Sequence, residues 1–356
     1  MKIAVRVCNW IGDVIMNLPA LEALRGHYPD AEIVAVARPW VADILAFRAD
    51  LVDRYITFED KKPLMGPLAF WKFTRRLRAE RFDMAVVFTK HLKGALMTWM
   101  AGIPVRVGMG SLETRWFLNR GISFGRLPKT GRHQSQNYLD LLAHAGVPVD
   151  YECQPRLQPD EDMSAAMAAR YLPGRPRPWL VVHAGASYGT AKRWAPERFA
   201  QVCRDSIAAF GGTVVLLGVE VETEVNDQVA GLVDHPNLVN LCGRTSLRES
   251  LAMISRADVF LSNDSGLMHV AGAFQRPQVA VFGPTDVRST FPNNHEAAVL
   301  HHQVTCSPCY LRHCPIGHDC MKGVGTTAVW SAVKDKLDVA VGVTDATPTP
   351  ADPFAV

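Results

Sequence analysis

Asp13 closes the run Ile3-Ala4-Val5-Arg6-Val7 and Asn9-Trp10-Ile11-Gly12-Asp13, and Asp264 sits in Ser262-Asn263-Asp264-Ser265-Gly266 in the other half of the chain. Both carboxylates stand where a short apolar strand gives way to a helix. Gly12 permits a tight turn, so that the Asp13 side chain points into the crevice above a sheet. A carboxylate there can act as a general base on an acceptor hydroxyl; the alternative is a helix N-cap, which Asp also favours. Asp264 can accept hydrogen bonds from sugar hydroxyls. Ser265 and the backbone at Gly266 can bind phosphate at the open N–H groups of the helix that follows. His269, one turn further in, either faces the same site or is a buried, satisfied imidazole.

The loop His183-Ala184-Gly185-Ala186-Ser187-Tyr188-Gly189-Thr190-Ala191-Lys192-Arg193-Trp194 follows the first strand of the second half. Its small residues allow close backbone approach, Ser187 and Thr190 offer hydroxyls, and Lys192 and Arg193 offer charge. Such a loop can hold a diphosphate and stabilise it as a leaving group; the alternative is an ordinary loop with solvated basic residues. Glu222, among the acids of Gly218 to Glu224, is a candidate partner for ribose hydroxyls or simply part of an acidic helix start. Other chemistries are disfavoured. No G-x-x-x-x-G-K-[ST] loop occurs, and Gly108-Met109-Gly110 lacks the third glycine of a dinucleotide fingerprint. The D-x-D pattern of metal-dependent glycosyltransferases occurs only as Asp160-Glu161-Asp162, in a Pro-rich linker. Charge on a leaving group is therefore expected to be met by Lys192 and a helix terminus, with no cofactor required. Cys306, Cys309, Cys314 and Cys320, with His313 and His318 interleaved, are the most metal-like run. Their spacing is not a standard zinc pattern, which leaves structural zinc, reduced thiols or a redox-labile loop open.

These groups need elements to position them. Val/Ile-rich runs at 3–7, 32–37, 54–58, 84–88 and 105–107 alternate with helical patterns at 16–27, 69–80, 92–101 and 134–145, the rhythm of a parallel sheet covered on both faces. Residues 150–178 break the rhythm with Pro155, Pro159, Pro173, Pro176 and Pro178 around one short helix. It restarts with strands at 179–183, 213–217, 238–241, 259–262 and 279–282 and helices at 196–210, 221–233, 246–256 and 266–274. The expectation is an α/β chain of two Rossmann-like domains facing one cleft: residues 1–165 for an acceptor, 166–327 for a nucleotide-sugar donor, a helix at 328–343 returning to the first domain, and a flexible tail at 344–356. The 356 residues suit two domains, and a formal charge of +3 gives no reason to expect nucleic acid as a partner. No apolar run reaches membrane-span length, and the start does not read as a signal peptide, so a cytoplasmic protein is expected. Basic and aromatic residues concentrate at 70–81 and at 106–133, including Arg126 and Lys129. They suit an anionic, partly apolar acceptor at a membrane surface, or else a solvated helix face and a long loop. Gly12 beside the base, with Arg115, Arg120 and His133, are the acceptor-binding candidates.

The sequence resembles the bacterial ADP-heptose:lipopolysaccharide heptosyltransferases over nearly its whole length, the type II enzymes most closely. Four segments carry the resemblance: Asn9 to Asp13 with Leu18-Pro19-Ala20-Leu21, the Gly185 to Trp194 loop, Asn263 to Ala271, and Phe282-Gly283-Pro284-Thr285. Asn9-Trp10 ahead of Gly12 and the Cys306 to Met321 segment look like type II. The resemblance implies a glycosyltransferase-B fold and metal-independent transfer with inversion, from ADP-heptose to heptosyl-Kdo-lipid A, at the cytoplasmic face of the inner membrane. It also implies Asp13 as base, Lys192 on the donor diphosphate, Asp264, Ser265 and Gly266 as the donor-sugar and phosphate loop, and Glu222 as the ribose acid. His183-Ala184 departs from the Pro-Gly common at that place.

Overall fold

A computed structural model describes residues 1–58, 66–111, 113–123 and 131–343. The chain divides into two compact units, Met1–Pro155 and Arg156–Val356, so the boundary lies at Pro155 rather than at 165. The proposed flexible tail at 344–356, Arg126 and Lys129 lie outside the described residues.

The first unit contains β1 (Lys2–Arg6), α1 (Ile11–His27), β2 (Glu32–Ala37), α2 (Val41–Leu45), β3 (Arg54–Thr57), α3 (Pro67–Ala79), β4 (Met84–Val87), α4 (Leu92–Met100), β5 (Val105–Gly110), β6 (Arg120–Ser123) and α5 (Gln134–His144). The strands form one sheet in the order β3-β2-β1-β4-β5-β6. All pairings are parallel, with Ile3 opposite Ile33 on one side and Met84 on the other. A sheet buried on both faces needs apolar residues at consecutive positions, and Ile3, Val5, Val34, Val36, Ala85 and Val86 are fully or almost fully buried. Strand β6 was missed by sequence because Arg120-Gly121-Ile122-Ser123 carries one apolar side chain and sits at an edge.

The second unit contains α6 (Glu161–Tyr171), β7 (Trp179–His183), α7 (Pro196–Phe210), β8 (Thr213–Leu216), α8 (Thr223–Val233), β9 (Leu238–Asn240), α9 (Leu247–Ile254), β10 (Val259–Asn263), α10 (Gly266–Ala273), β11 (Gln278–Phe282), α11 (Val287–Thr290), β12 (Ala297–His301), α12 (Asp319–Lys322) and α13 (Thr326–Ala340). Its sheet runs β12-β11-β10-β7-β8-β9. Read from its third strand to its sixth, this repeats the order of the first sheet, so in each sheet the strand order reverses between its first and fourth strands. Ligands of open α/β sheets bind beyond the strands' carboxyl ends at that reversal. The short helix in the linker, α6, belongs to this unit: Ser164 and Ser255 share a buried hydrogen bond of 3.0 Å, and Leu157 N–H bonds Ala273 O. Helix α13, expected to return to the first domain, instead buries Val329, Val333 and Leu337 in the core of the second. Its apolar face fits there because Trp330 stacks edge-on against Phe210 of α7.

Candidate functional site

In the first unit, the N-cap position of α1 is Trp10, with extended backbone (φ −111°, ψ 141°) and no side-chain cap. Asp13 lies inside the first turn, so it is not the cap that its residue type allows. Its Oδ1 accepts a hydrogen bond of 2.6 Å from Gln134 Nε2, on α5. The same amide lies 2.8 Å from the Tyr138 hydroxyl, which is 3.6 Å from Cys8 Sγ at the end of β1. Burial pushes the Cys8 thiol up to about 12, and the Asp13 charge adds to it. Burial likewise raises Tyr138 well above its ordinary value, with Cys8 and Asp13 contributing. Both groups therefore keep their protons at neutral pH. The carboxylate is thus oriented by a neutral amide that is itself fixed by a buried phenol. A first-turn acid also benefits from the positive end of the helix dipole.

The second unit builds its site from the loops after β7 and β10, the two sides of its reversal. Asn263 ties them together: its Nδ2 donates to Ala184 O (2.8 Å) and Gly185 O (3.1 Å), and its Oδ1 accepts from Trp194 N–H (3.0 Å). That amide pins both ends of the 184–194 loop to β10. Inside the loop, Lys192 Nζ is 2.5 Å from Asp264 Oδ2, and Thr285 Oγ1 donates to the same oxygen at 2.5 Å. Asp264 is only 4% exposed. Its charge is compensated by the ammonium and the hydroxyl, as a buried carboxylate requires. The expected partners of these two residues were a diphosphate and a sugar; the structure pairs them with each other. Ser265 is the N-cap residue of α10 without making a cap bond, and its buried Oγ has no hydrogen-bond partner. Arg193 Nε is also buried without a partner. Ser187 is exposed on the loop, Gly266 opens α10 and His269 is buried one turn within it.

The cysteine-bearing segment turns out to buttress this loop. Tyr188 donates to Tyr310 O (2.7 Å), Thr190 Oγ1 meets His313 Nδ1 (2.9 Å), Ala191 N–H donates to Arg312 O (3.0 Å), and His318 Nε2 meets Ala191 O (2.7 Å). The interleaved histidines are thus engaged with the loop. All eight cysteines are unpaired, Cys306 being exposed, Cys309 and Cys314 half-buried and Cys320 buried. Among the described residues no three His, Cys, Asp or Glu side chains converge to hold a metal ion. The zinc reading of Cys306, Cys309, Cys314 and Cys320 therefore finds no converged ligand set. The chain that carries the four thiols also bonds residues 188–191.

Glu222 is almost wholly buried. Its Oε2 accepts from Val219 N–H (3.1 Å) and its Oε1 lies 3.9 Å from His183 Nε2 without a hydrogen bond. It packs directly against Gly185, where any side chain would collide with its carboxylate. On the acceptor side, Gly12 is buried in the first turn of α1. Arg115 and Arg120 are exposed, with the Arg115 guanidinium 4.8 Å from the centre of the Trp116 ring. His133 is buried as the N-cap of α5, accepting from Ser135 N–H. That cap sets up the helix whose first residue, Gln134, reaches Asp13. Sequence reasoning missed Gln134, Tyr138, Asn263 as a clamp, and Thr285. Only Asn263 and Thr285 lay in motifs that pointed to them.

Residues 70–319 match the family described as glycosyltransferase family 9 (heptosyltransferase). Lipopolysaccharide heptosyltransferase 2 of Salmonella typhimurium is 30% identical over 321 residues, covering 84% of this chain and 88% of that protein. The protein of the same name from Escherichia coli is 29% identical over 310 residues with the same coverage. The solved structure of E. coli ADP-heptose LPS heptosyltransferase II superposes with a TM-score of 0.81 at 26% identity, covering 95% of this chain and 98% of that one.

Proposed function

The chain belongs to glycosyltransferase family 9, the heptosyltransferase family, and is a glycosyltransferase; on that premise we propose that it moves L-glycero-D-manno-heptose from ADP-heptose onto the first heptose of the lipopolysaccharide inner core. The type 2 heptosyltransferases among its relatives support this choice of donor and core acceptor. The observation that carries the reading is the Lys192–Asp264–Thr285 cluster beside the Ser265 helix start, at the reversal of the second sheet. A cation, a hydroxyl and open helix N–H groups meet where an anionic group of a nucleotide sugar would sit.

In this reading Asp13 takes the proton of an acceptor hydroxyl as its oxygen bonds to the anomeric carbon from the face opposite ADP. The bond from that carbon to the diphosphate oxygen breaks, and configuration inverts. Lys192 exchanges part of its attraction to Asp264 for the departing diphosphate, with the α10 N-terminus adding its dipole. Asp264, relieved of part of its pairing, is then available to sugar hydroxyls. Gln134 holds Asp13 in one rotamer throughout. No metal is needed in this scheme. Lys192 supplies the charge, and the only D-x-D pattern is engaged elsewhere: Asp160 caps α6 through Met163 N–H (3.0 Å) and pairs with Arg248.

We further propose peripheral contact with the cytoplasmic face of the inner membrane, where the acceptor would be anchored. Exposed Leu68 and Trp71 accompany Arg75 and Arg76 on α3, and Trp116 stands beside Arg115. Among the described residues no helix is long and apolar enough to cross a membrane. The test is complementation of strains blocked at successive heptose additions, followed by mass spectrometry of the core oligosaccharide. Restoration of the second heptose is expected. Restoration of the first heptose, or only of a later sugar, would assign a different acceptor.

A further inference from the structure

The first sheet has the same strand order as the second, so it has its own reversal, between β1 and β4. A cavity of about 530 Å³ opens at that place. Residues at or just beyond the ends of four adjacent strands line it: Arg6 at the end of β1 and Asn9 after it, Arg38 after β2, Phe58 after β3 and Thr89 after β4. None of these was assigned a role above, and the cavity lies in the same unit as Asp13.

Its chemistry is specific. Arg38 Nε is buried without a hydrogen-bond partner. Thr89 is 9% exposed, and its Oγ1 is also buried without a partner. Two buried donors lacking acceptors cost free energy that a ligand oxygen would recover. Lys93 and Arg6 add positive charge, against one lining carboxylate among the described residues, Glu113. The start of α4 comes close: a Cβ on Gly94 would stand 2.5 Å from Thr89 Oγ1, so only glycine lets the helix N-terminus approach the strand end. Phe58, Phe70 and Phe73 form an aromatic wall, with the Arg6 guanidinium 4.7 Å from the Phe58 ring centre and Phe58 edge-on to Phe73 at 5.6 Å. Cations beside unpaired donors select an oxyanion, and an aromatic wall suits the C–H face of a sugar ring.

We propose that this cavity is an oxyanion subsite for the acceptor, reading a carboxylate or phosphate carried on a saccharide through Arg38 and Thr89. This rests on the reading that the first unit handles the acceptor. It goes further in naming the group recognised and the residues that recognise it. Guanidinium and hydroxyl donate to the anion, Lys93 and the α4 start supply field, and the phenylalanines hold the ring.

Equilibrium binding of the acceptor saccharide to the full chain, without donor, tests it. Three forms are titrated: untreated, phosphatase-treated and carboxyl-reduced. Arg38→Ala should weaken binding of the untreated form about tenfold, the scale of one charge-assisted contact. It should have little effect on whichever form lacks the recognised anion, which identifies phosphate or carboxylate as the source. Arg38→Lys should restore part of the affinity, since the charge remains without the planar fork. Thr89→Val should weaken the same form by a smaller factor. If Arg38→Ala, with its melting temperature unchanged, binds all three forms as wild type does, or weakens all three equally, the subsite is refuted. If Arg38→Ala is unstable, Arg38→Lys and Thr89→Val decide in the same way. Selective binding that depends on Arg38, in a wild-type protein that transfers no heptose, would overturn the proposed activity and leave this subsite standing. Heptose transfer with no dependence of acceptor binding on Arg38 or Thr89 would do the reverse.

Discussion

The two units each place an aspartate where a strand gives way to a helix, after the first strand of one sheet and the fourth of the other, and surround it differently. Asp13 lies in the first turn of α1 and is oriented by the Gln134 amide. Asp264 lies just ahead of α10 and is compensated by Lys192 and Thr285. An amide orients a carboxylate without pairing it with an opposite charge. An ammonium and a hydroxyl on one oxygen compensate the Asp264 carboxylate, which in turn positions Lys192. In the proposed mechanism, one strand-turn-helix plan thus serves as a proton acceptor in one sheet and anchors a cation in the other. The difference lies in which neighbouring element reaches in: a helix start in the first unit, a glycine-rich loop in the second.

Exchanging both aspartates for asparagine separates the two roles most sharply. Asp13→Asn should lower kcat by about 100-fold or more while leaving ADP binding and melting temperature near wild type. Asp264→Asn should instead destabilise the fold and weaken ADP binding. It strands the mostly buried Lys192 ammonium, and breaking a buried pair costs about 3 kcal/mol or more. Thermal melts and ADP titrations on both variants would show the contrast; similar profiles would erase it.

Removing the cation probes the second unit from the other side. Lys192→Ala should raise the donor KM and lower kcat together, by about 10²-fold in kcat/KM, because the charge meets the diphosphate before and during departure. Lys192→Arg should recover part of that loss. Unchanged donor kinetics in Lys192→Ala would make the pair with Asp264 purely structural.

A smaller effect belongs to Gln134. Gln134→Ala should lower kcat by roughly tenfold or less with little change in donor KM, as expected of a residue that only aims the base. Gln134→Glu should move the acid limb of the kcat profile to higher pH, since a second carboxylate beside Asp13 makes its ionisation harder. Cys8 and Tyr138, two titratable groups coupled to Asp13, stay protonated across that range. An unmoved limb would show that Gln134 does not touch the working base. The smallest expected effect is that of chelation. Initial rates in EDTA without added divalent ion should equal untreated rates, and a loss restored by magnesium or manganese would return the leaving-group role to a metal.

The fold was legible where apolar runs were continuous. Ten of the strands were marked by them, whereas β6 and β12 escaped, the first for want of apolar residues and the second because Ala297-Ala298-Val299-Leu300-His301 is half-buried at an edge. Asp13, Lys192 and Asp264 were legible because turn chemistry and charge mark them locally. Gln134 and Tyr138 were not, since their meaning depends on α5 packing against α1, a contact across more than a hundred residues. The cysteine segment shows the converse. Thiol spacing is visible in sequence, but the hydrogen bonds from His313 and His318 to the loop are not.

The most direct measurement is transfer in vitro from ADP-heptose to two purified acceptors that differ only in the presence of the first inner-core heptose. Product mass and released ADP are followed together for wild type and Asp13→Asn. Wild type is expected to add one heptose to the heptosylated acceptor alone, with one ADP released per sugar added, and Asp13→Asn to bind ADP yet form at most about a hundredth as much product in the same time. Addition to the unheptosylated acceptor, ADP release without sugar transfer, or more than a tenth of wild-type turnover in the variant would contradict that mechanism.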